Sequence, residues 1–153
     1  MEDIGLPVQQ YAQAMADALA TIYWDAKIDA NDVEFVLAPA GTHRDSQTWS
    51  SQMLGEHKMW ILDFDCCNTI TLDQAGVEQA AAAFYKNDPF YPRPASDNEA
   101  DRMLWRVFRS RFLESSRAIL GQESRLPQLM VQRLEEMGEE RRRAVRSCSK
   151  EES

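Results

Sequence analysis

Apolar and polar residues follow two different periods in the first half of the chain. Between residues 7 and 25, apolar side chains recur at steps of three and four, which predicts an amphipathic α-helix. The polar cluster Asp29–Asp32 is typical of a turn, and the β-branched and aromatic segment Val33–Leu37 predicts a short strand. Residues 38–57 are mostly polar and contain proline and glycine, so a long loop is expected there.

A second strand is predicted at Met59–Phe64, where the side chains alternate with the two-residue period of a β-strand. Two consecutive strands joined by a loop pair most simply in antiparallel, so this strand is predicted to form a hairpin with Val33–Leu37. One face of the strand is expected to be buried on the helices, and the alternation divides the side chains into Trp60, Leu62 and Phe64 on that face and Ile61, Asp63 and Asp65 on the other.

Three further helices are predicted in the second half of the chain. Two of them begin with the spacing of a capping box, at Thr71 with Gln74 and at Ser96 with Glu99. Asn87–Pro89 is expected to end the first of these helices, and Pro127 is expected to open the last one. The apolar positions expected to face the core are Val77, Ala80, Ala81 and Phe84, then Leu104, Trp105, Phe108, Phe112 and Ile119, then Leu129, Met130, Leu134 and Met137.

The expected fold follows from this order of elements. Residues 1–138 are predicted to form a single domain, since 153 residues is the length of one domain with its own core. From Glu139 onward the charges come in blocks without an apolar face, which predicts that residues 139–153 are a frayed or disordered tail. The predicted fold class is α+β and mainly helical, with a small antiparallel β-hairpin packed on about four helices.

Charge and composition exclude several classes of function. The formal net charge of −8 argues against direct binding to nucleic acid, which needs clustered cationic side chains. No apolar run approaches the roughly 20 residues of a membrane helix, and the amino terminus lacks the pattern of a signal peptide. Three cysteines do not make a disulfide framework, so an intracellular compartment, cytoplasm or nucleus, is expected. A zinc site is not expected, because the C-x-x-C spacing is missing and the two histidines, His43 and His57, fall in the predicted loop.

The predicted hairpin gathers polar side chains at one of its ends. In an antiparallel pair, the start of one strand lies beside the end of the other, which brings together Asp29, Asn31, Asp32, Asp63 and Asp65. Carboxylates placed so closely repel one another unless positive charge offsets them. Two interpretations stay open: a solvated polar rim, in which Lys27 or Arg93 supplies the charge, or a cation site, for which oxygen ligands favour magnesium.

The order of helix, acidic turn, two strands and Asp63-Phe64-Asp65 resembles the catalytic segment in the carboxy-terminal lobe of protein kinases and aminoglycoside phosphotransferases. The resemblance implies that Asp25 or Asp29 stands in the place of the catalytic base. It implies a magnesium site formed by Asp63 and Asn31, with Asp65 and Asp32 adding charge. The chain departs from that pattern, since Tyr23 replaces the usual histidine and no glycine-rich phosphate loop or strand lysine is found.

Residues 11–135 also resemble a largely fungal family of unknown function that is described as a zinc-finger-protein domain. The segments that carry this resemblance are Asp29–Leu37, Trp60–Cys67 and Asn87–Pro94. It implies neither an activity nor a zinc site here. The function expected from the sequence is a non-catalytic or degenerate kinase-like binding or scaffold module with a protein partner. The alternative is an ATP-dependent phosphotransferase lobe that acts on a small molecule and is incomplete in this chain.

Overall fold

The computed structural model describes residues 5–42, 45–87 and 91–151. In these ranges the chain forms four α-helices, a single π-helical turn and a three-stranded antiparallel sheet, which confirms a mainly helical α+β fold. The elements in chain order are α1 (Val8–Ala20), the π-helical turn (Thr21–Asp25), β1 (Glu34–Pro39), β2 (Trp49–Ser51), β3 (Gly55–Leu62), α2 (Gln74–Lys86), α3 (Glu99–Leu120) and α4 (Leu126–Glu151). No helix in the described ranges combines the length and the apolar character needed to cross a membrane.

The sheet has β3 at its centre, with β1 on one side and β2 on the other. The predicted antiparallel pairing is confirmed, since Glu34 of β1 lies opposite Leu62 of β3. The prediction of a loop over residues 38–57 was wrong, because β2 and the first residues of β3 fall within it. The strand β2 has only three residues, two of them serine, so it shows no alternation that could be recognised in the sequence.

The sheet buries the face opposite to the one predicted. Trp60, Leu62 and Phe64 were expected in the core, but these side chains are 50%, 46% and 45% exposed. The side chains of Met59 and Ile61 pack against the core instead. Both faces of β3 carry large apolar side chains, so alternation alone could not tell which one meets the helices. We call the solvent-facing group Val36, Trp60 and Leu62 the outer sheet face.

His57 lies in β3, not in a loop, and its buried side chain joins the sheet to α1. Its Nδ1 is 2.8 Å from the carbonyl oxygen of Gly55. A carbonyl can only accept a hydrogen bond, so Nδ1 donates to it, while Nε2 shares a second hydrogen bond with the hydroxyl of Tyr11. The ring of Trp49 meets Tyr11 edge-on at a centroid distance of 5.1 Å. His43 lies outside the described residues.

The two helices α2 and α3 begin two residues later than the predicted capping boxes. The carboxylate of Asp73 accepts a hydrogen bond from the Gly76 amide (3.0 Å) and caps α2. The side-chain oxygen of Asn98 caps α3 in the same way, from the Ala100 amide (2.8 Å). The predicted caps are wrong because the hydroxyl of Thr71 donates to Asp73, while that of Ser96 accepts from the Asn98 amide and donates to the side chain of Asp101, so that Asp73 and Asn98 accept from the helix amides instead. The predicted stop of α2 is present at Asn87, while Asp88 and Pro89 lie outside the described residues.

The core lies between α1, the sheet and α3, with α2 and α4 completing it. Its centre is an aromatic row on α3 in which Trp105, Phe108 and Phe112 are buried. The predicted core positions Ile119 and Leu129 are exposed, and Leu104 is half-buried. Both exposed residues lie near a helix end, where the predicted row of apolar positions extends beyond the elements against which the helix packs.

The carboxy-terminal charges belong to α4, which continues to Glu151, so the prediction of a frayed or disordered tail from Glu139 was wrong up to that residue. The reason lies in contacts with the loop before α3. Asp97 forms ion pairs with Arg142 and Arg146, and the guanidinium of Arg141 lies 5.1 Å from the ring centroid of Tyr85. Residues 152 and 153 lie outside the described ranges.

Candidate functional site

The turn before β1 is organised by the buried carboxylate of Asp29, which is 3% exposed. Its Oδ1 accepts hydrogen bonds from the backbone amides of Asn31 (3.0 Å) and Asn68 (2.9 Å). Its Oδ2 accepts from the side-chain amide of Gln79 on α2 (2.9 Å), with a longer bond from Asn68 Nδ2 (3.4 Å). One side chain therefore joins the turn, the loop after β3 and the helix α2.

These hydrogen bonds also set the charge of Asp29. Burial alone would raise its pKa, because it disfavours the ionised form. The hydrogen bonds from Asn68, Gln79 and Asn31 outweigh burial and hold the pKa of Asp29 below its ordinary value. Asp29 is thus a charged group whose lone pairs are taken up by protein donors. This environment indicates a structural anchor, and the catalytic role of Asp29 stays a prediction.

Asp25, the other residue in the position of a catalytic base, ends the π-helical turn and is exposed. No ion pair to it is found among the described residues. Asn31 is held against the loop after β3, since its side-chain amide donates to the carbonyl of Cys66 (3.1 Å). Its own carbonyl accepts from the thiol of Cys67 (3.6 Å). These two hydrogen bonds therefore join the turn before β1 to the segment that follows β3.

Three carboxylates influence the exposed thiol of Cys66 at this end of the hairpin. The charge of Asp32 is the largest influence and raises the pKa of Cys66, followed by desolvation, a hydrogen bond to Asp32, and the charges of Asp63 and Asp65. Three of the four acidic residues predicted to gather there, Asp32, Asp63 and Asp65, therefore influence the same thiol, while the predicted common site stays a prediction. Asp32 and Asp63 adopt positive φ, 68° and 69°, so the chain bends sharply where β1 begins and where β3 ends, which is the same end of the strand pair.

Metal binding by this group has no further geometric support. In the part of the chain that the structure describes, no three histidine, cysteine, aspartate or glutamate side chains are placed so that they could hold a metal ion. The magnesium site of Asp63, Asn31, Asp65 and Asp32 therefore stays a prediction. The other interpretation, a solvated polar rim at the end of the sheet, also stays a prediction.

A groove of about 640 Å³ lies between α1 and β3 and was not predicted from the sequence. We call it the α1–β3 groove. Met59, Ile61 and Phe64 line its apolar side. The ion pair between Asp17 and Arg111 lines its polar side, with Nε to Oδ1 at 2.7 Å and Nη2 to Oδ2 at 2.9 Å. Asp17 and Arg111 lie 94 residues apart in the sequence, so no local sequence pattern could have predicted the polar side of the groove.

Comparison with known proteins gives one match. Residues 59–124, which include the second half of β3, all of α2 and all of α3, match a family model described as "zinc finger protein". The match covers less than half of the chain and leaves out the Asp29 turn and β1. It agrees with the zinc-finger-protein domain that the sequence resembles, while the fungal origin and the kinase resemblance stay predictions. No curated protein and no solved structure matches the chain.

Proposed function

We propose that this domain is a non-catalytic binding or scaffold module that docks a partner protein on the outer sheet face. The observation that carries the proposal is the exposure of large apolar side chains on one contiguous surface. Val36 and Trp60 are directly opposite each other across β1 and β3, and Leu62 follows Trp60 on the same face. Contiguous exposed apolar surface of this kind is typical of interaction sites, and tryptophan is enriched among the residues that dominate binding energy.

Charge around the outer sheet face favours a basic partner. Glu34 lies opposite Leu62, and Asp63 and Asp65 flank Phe64. Among the described residues, no cation forms an ion pair with these three carboxylates. Lys58 does not neutralise them, because it pairs with Asp45 at 2.7 Å. We therefore propose a partner segment that carries both apolar and cationic side chains, so that its charge complements this rim.

Replacing Trp60 with Ser is expected to weaken binding without unfolding the domain. The probe is a synthetic amphipathic peptide of leucine and lysine, titrated calorimetrically. Trp60→Ser should weaken its binding about 30-fold, the effect of losing a dominant contact residue. The free energy of unfolding should change by less than about 1 kcal/mol, since half of the side chain is already exposed.

The matched control for this experiment is Ile119→Ser, which removes an exposed apolar side chain from α3 (39% exposed). This control should bind the peptide like the wild type, and a leucine–glutamate peptide should not bind. Equal weakening by both variants, or unchanged binding by Trp60→Ser, would contradict the outer sheet face as the docking surface.

The alternative function is an ATP-dependent phosphotransferase lobe, and it makes a different prediction. It is supported by the order of elements and by the acidic group at the hairpin end, but Asp29 offers no free lone pair. We expect that the purified chain does not hydrolyse ATP with magnesium present. We also expect that Asp63→Asn melts at the same temperature as the wild type at saturating magnesium. ATP hydrolysis that Asp63→Asn abolishes, or a magnesium-dependent rise in melting temperature lost in that variant, would support the phosphotransferase instead.

A further inference from the structure

The edge of β3 that faces away from β1 is only partly covered. The strand β2 pairs with residues 55–57 of β3 and with no others. Upstream of β2 the chain turns away, because the Thr48 amide donates to the carbonyl of Asp45 in a tight turn (3.2 Å). On this side, the five residues Lys58–Leu62 have no neighbouring strand within the described ranges.

The register of the sheet shows which N–H and C=O groups of Lys58–Leu62 point away from β1, toward the edge of β3 that has no neighbouring strand among the described residues. The Ala40 amide donates to the carbonyl of Glu56 (3.1 Å), one step beyond the pair of Pro39 and His57. In an antiparallel pair, hydrogen-bonded positions alternate along the strand. Lys58, Trp60 and Leu62 therefore direct their N–H and C=O groups toward β1. Met59 and Ile61 direct theirs toward the open edge.

The α1–β3 groove lies beside this open edge. Met59 and Ile61 line it, so that their unpaired main-chain groups and their apolar side chains border the same space. The open edge of five residues is about 16 Å long at the usual rise of a strand. Its downstream end leads to Phe64 between Asp63 and Asp65, where the surface is apolar and acidic.

We infer that the open edge of β3 is a strand-addition site for an extended segment of a partner polypeptide. The main chain of that segment hydrogen-bonds to Met59 and Ile61, since only another extended backbone offers donors and acceptors at this two-residue spacing. Its alternate apolar side chains enter the α1–β3 groove, and a cationic side chain at its end meets Asp63 and Asp65. The inference rests on the proposed function and extends it to a second surface, which shares the acidic residues Asp63 and Asp65 with the rim of the outer sheet face but does not involve Val36, Trp60 or Leu62.

Amide hydrogen exchange measured by NMR tests the state of the edge in the free protein. The amides of Met59 and Ile61 should exchange at least about tenfold faster than those of Lys58 and Trp60, which are bonded to β1. Equal protection of all four amides in dilute protein would overturn the inference, because the edge would then already be paired. Protection of Met59 and Ile61 that grows with protein concentration would overturn it in favour of pairing between two copies of the chain.

A peptide titration then tests the occupant. The probe is the capped peptide Lys-Val-Thr-Val-Thr-Val-Lys, which should slow exchange of Met59 and Ile61 and leave Lys58 and Trp60 unchanged. The same peptide with its valine and threonine amides all N-methylated keeps its side chains but has no N–H left to pair along an edge in either strand direction, and it should have no effect. No change with the unmodified peptide at millimolar concentration, or equal binding of the methylated one, would overturn strand addition. The variant Trp60→Ser should leave the result unchanged, so that failure of this site and of the outer sheet face can be told apart.

Discussion

Replacing Phe108 with Ala is expected to lower the free energy of unfolding by about 3–5 kcal/mol. Phe108 is 1% exposed and occupies the middle of the aromatic row on α3. Its ring is stacked on Trp105 at a centroid distance of 5.5 Å and on Phe112 at 6.0 Å, and it also meets Phe84 of α2 at 6.1 Å. The substitution leaves a cavity among large rigid rings that cannot move easily to fill it, which places the loss at the upper end for a core residue.

Leu104→Ala is the matched control, one turn earlier on the same helix. From the sequence alone, a full core loss of about 2–5 kcal/mol is predicted for it. Leu104 is half-buried and borders a small apolar cavity of about 160 Å³, so we expect a smaller loss of about 1–2 kcal/mol. Urea unfolding followed by circular dichroism measures both variants. Equal losses would show that the aromatic row is not the centre of the core.

The strand pairing could be predicted from the sequence because it depends on local information. The acidic turn and the two apolar segments fix where the strands lie, and the antiparallel direction follows from their separation along the chain. The buried face could not be predicted in the same way. The side chains of Met59 and Ile61 are as apolar as those of Trp60 and Leu62, and the choice between the faces is made by α1, whose contact with the sheet is not local.

Part of the candidate site could also be predicted from the sequence, because it depends on where the two paired strands begin and end. The start of one strand and the end of its antiparallel partner lie at the same end of the pair, and the charges of Asp32, Asp63 and Asp65 all act there on Cys66. The partners of Asp29 could not be found from spacing, because Asn68 and Gln79 lie 39 and 50 residues away along the chain. The groove and the open edge also depend on such distant pairs, and on β2, whose short serine-rich sequence carries little strand signal.

Asp29→Ala is expected to destabilise the domain by about 2–4 kcal/mol, although the residue contributes no apolar contact. The substitution leaves the amides of Asn31 and Asn68 and the side chain of Gln79 without their acceptor in a largely buried place. A buried donor that loses its acceptor forms no hydrogen bond in the folded state, although its removal from water still costs free energy. The matched variant Asp73→Ala removes an exposed cap from α2 and should cost less, about 1 kcal/mol.

The pH dependence of the free energy of unfolding distinguishes the contribution of the negative charge of Asp29 from the contribution of its size and shape. Because the folded-state pKa of Asp29 is lowered, its contribution is fully present above the unfolded pKa of about 4 and is lost as the pH falls through the folded value. Between pH 6 and pH 3, values chosen to bracket that range, the wild type should therefore lose more stability than Asp29→Asn, which has no charge to titrate. The measurement is the free energy of unfolding from urea titrations at each pH. An identical acid response of both proteins would contradict a pKa of Asp29 that is lowered in the folded state.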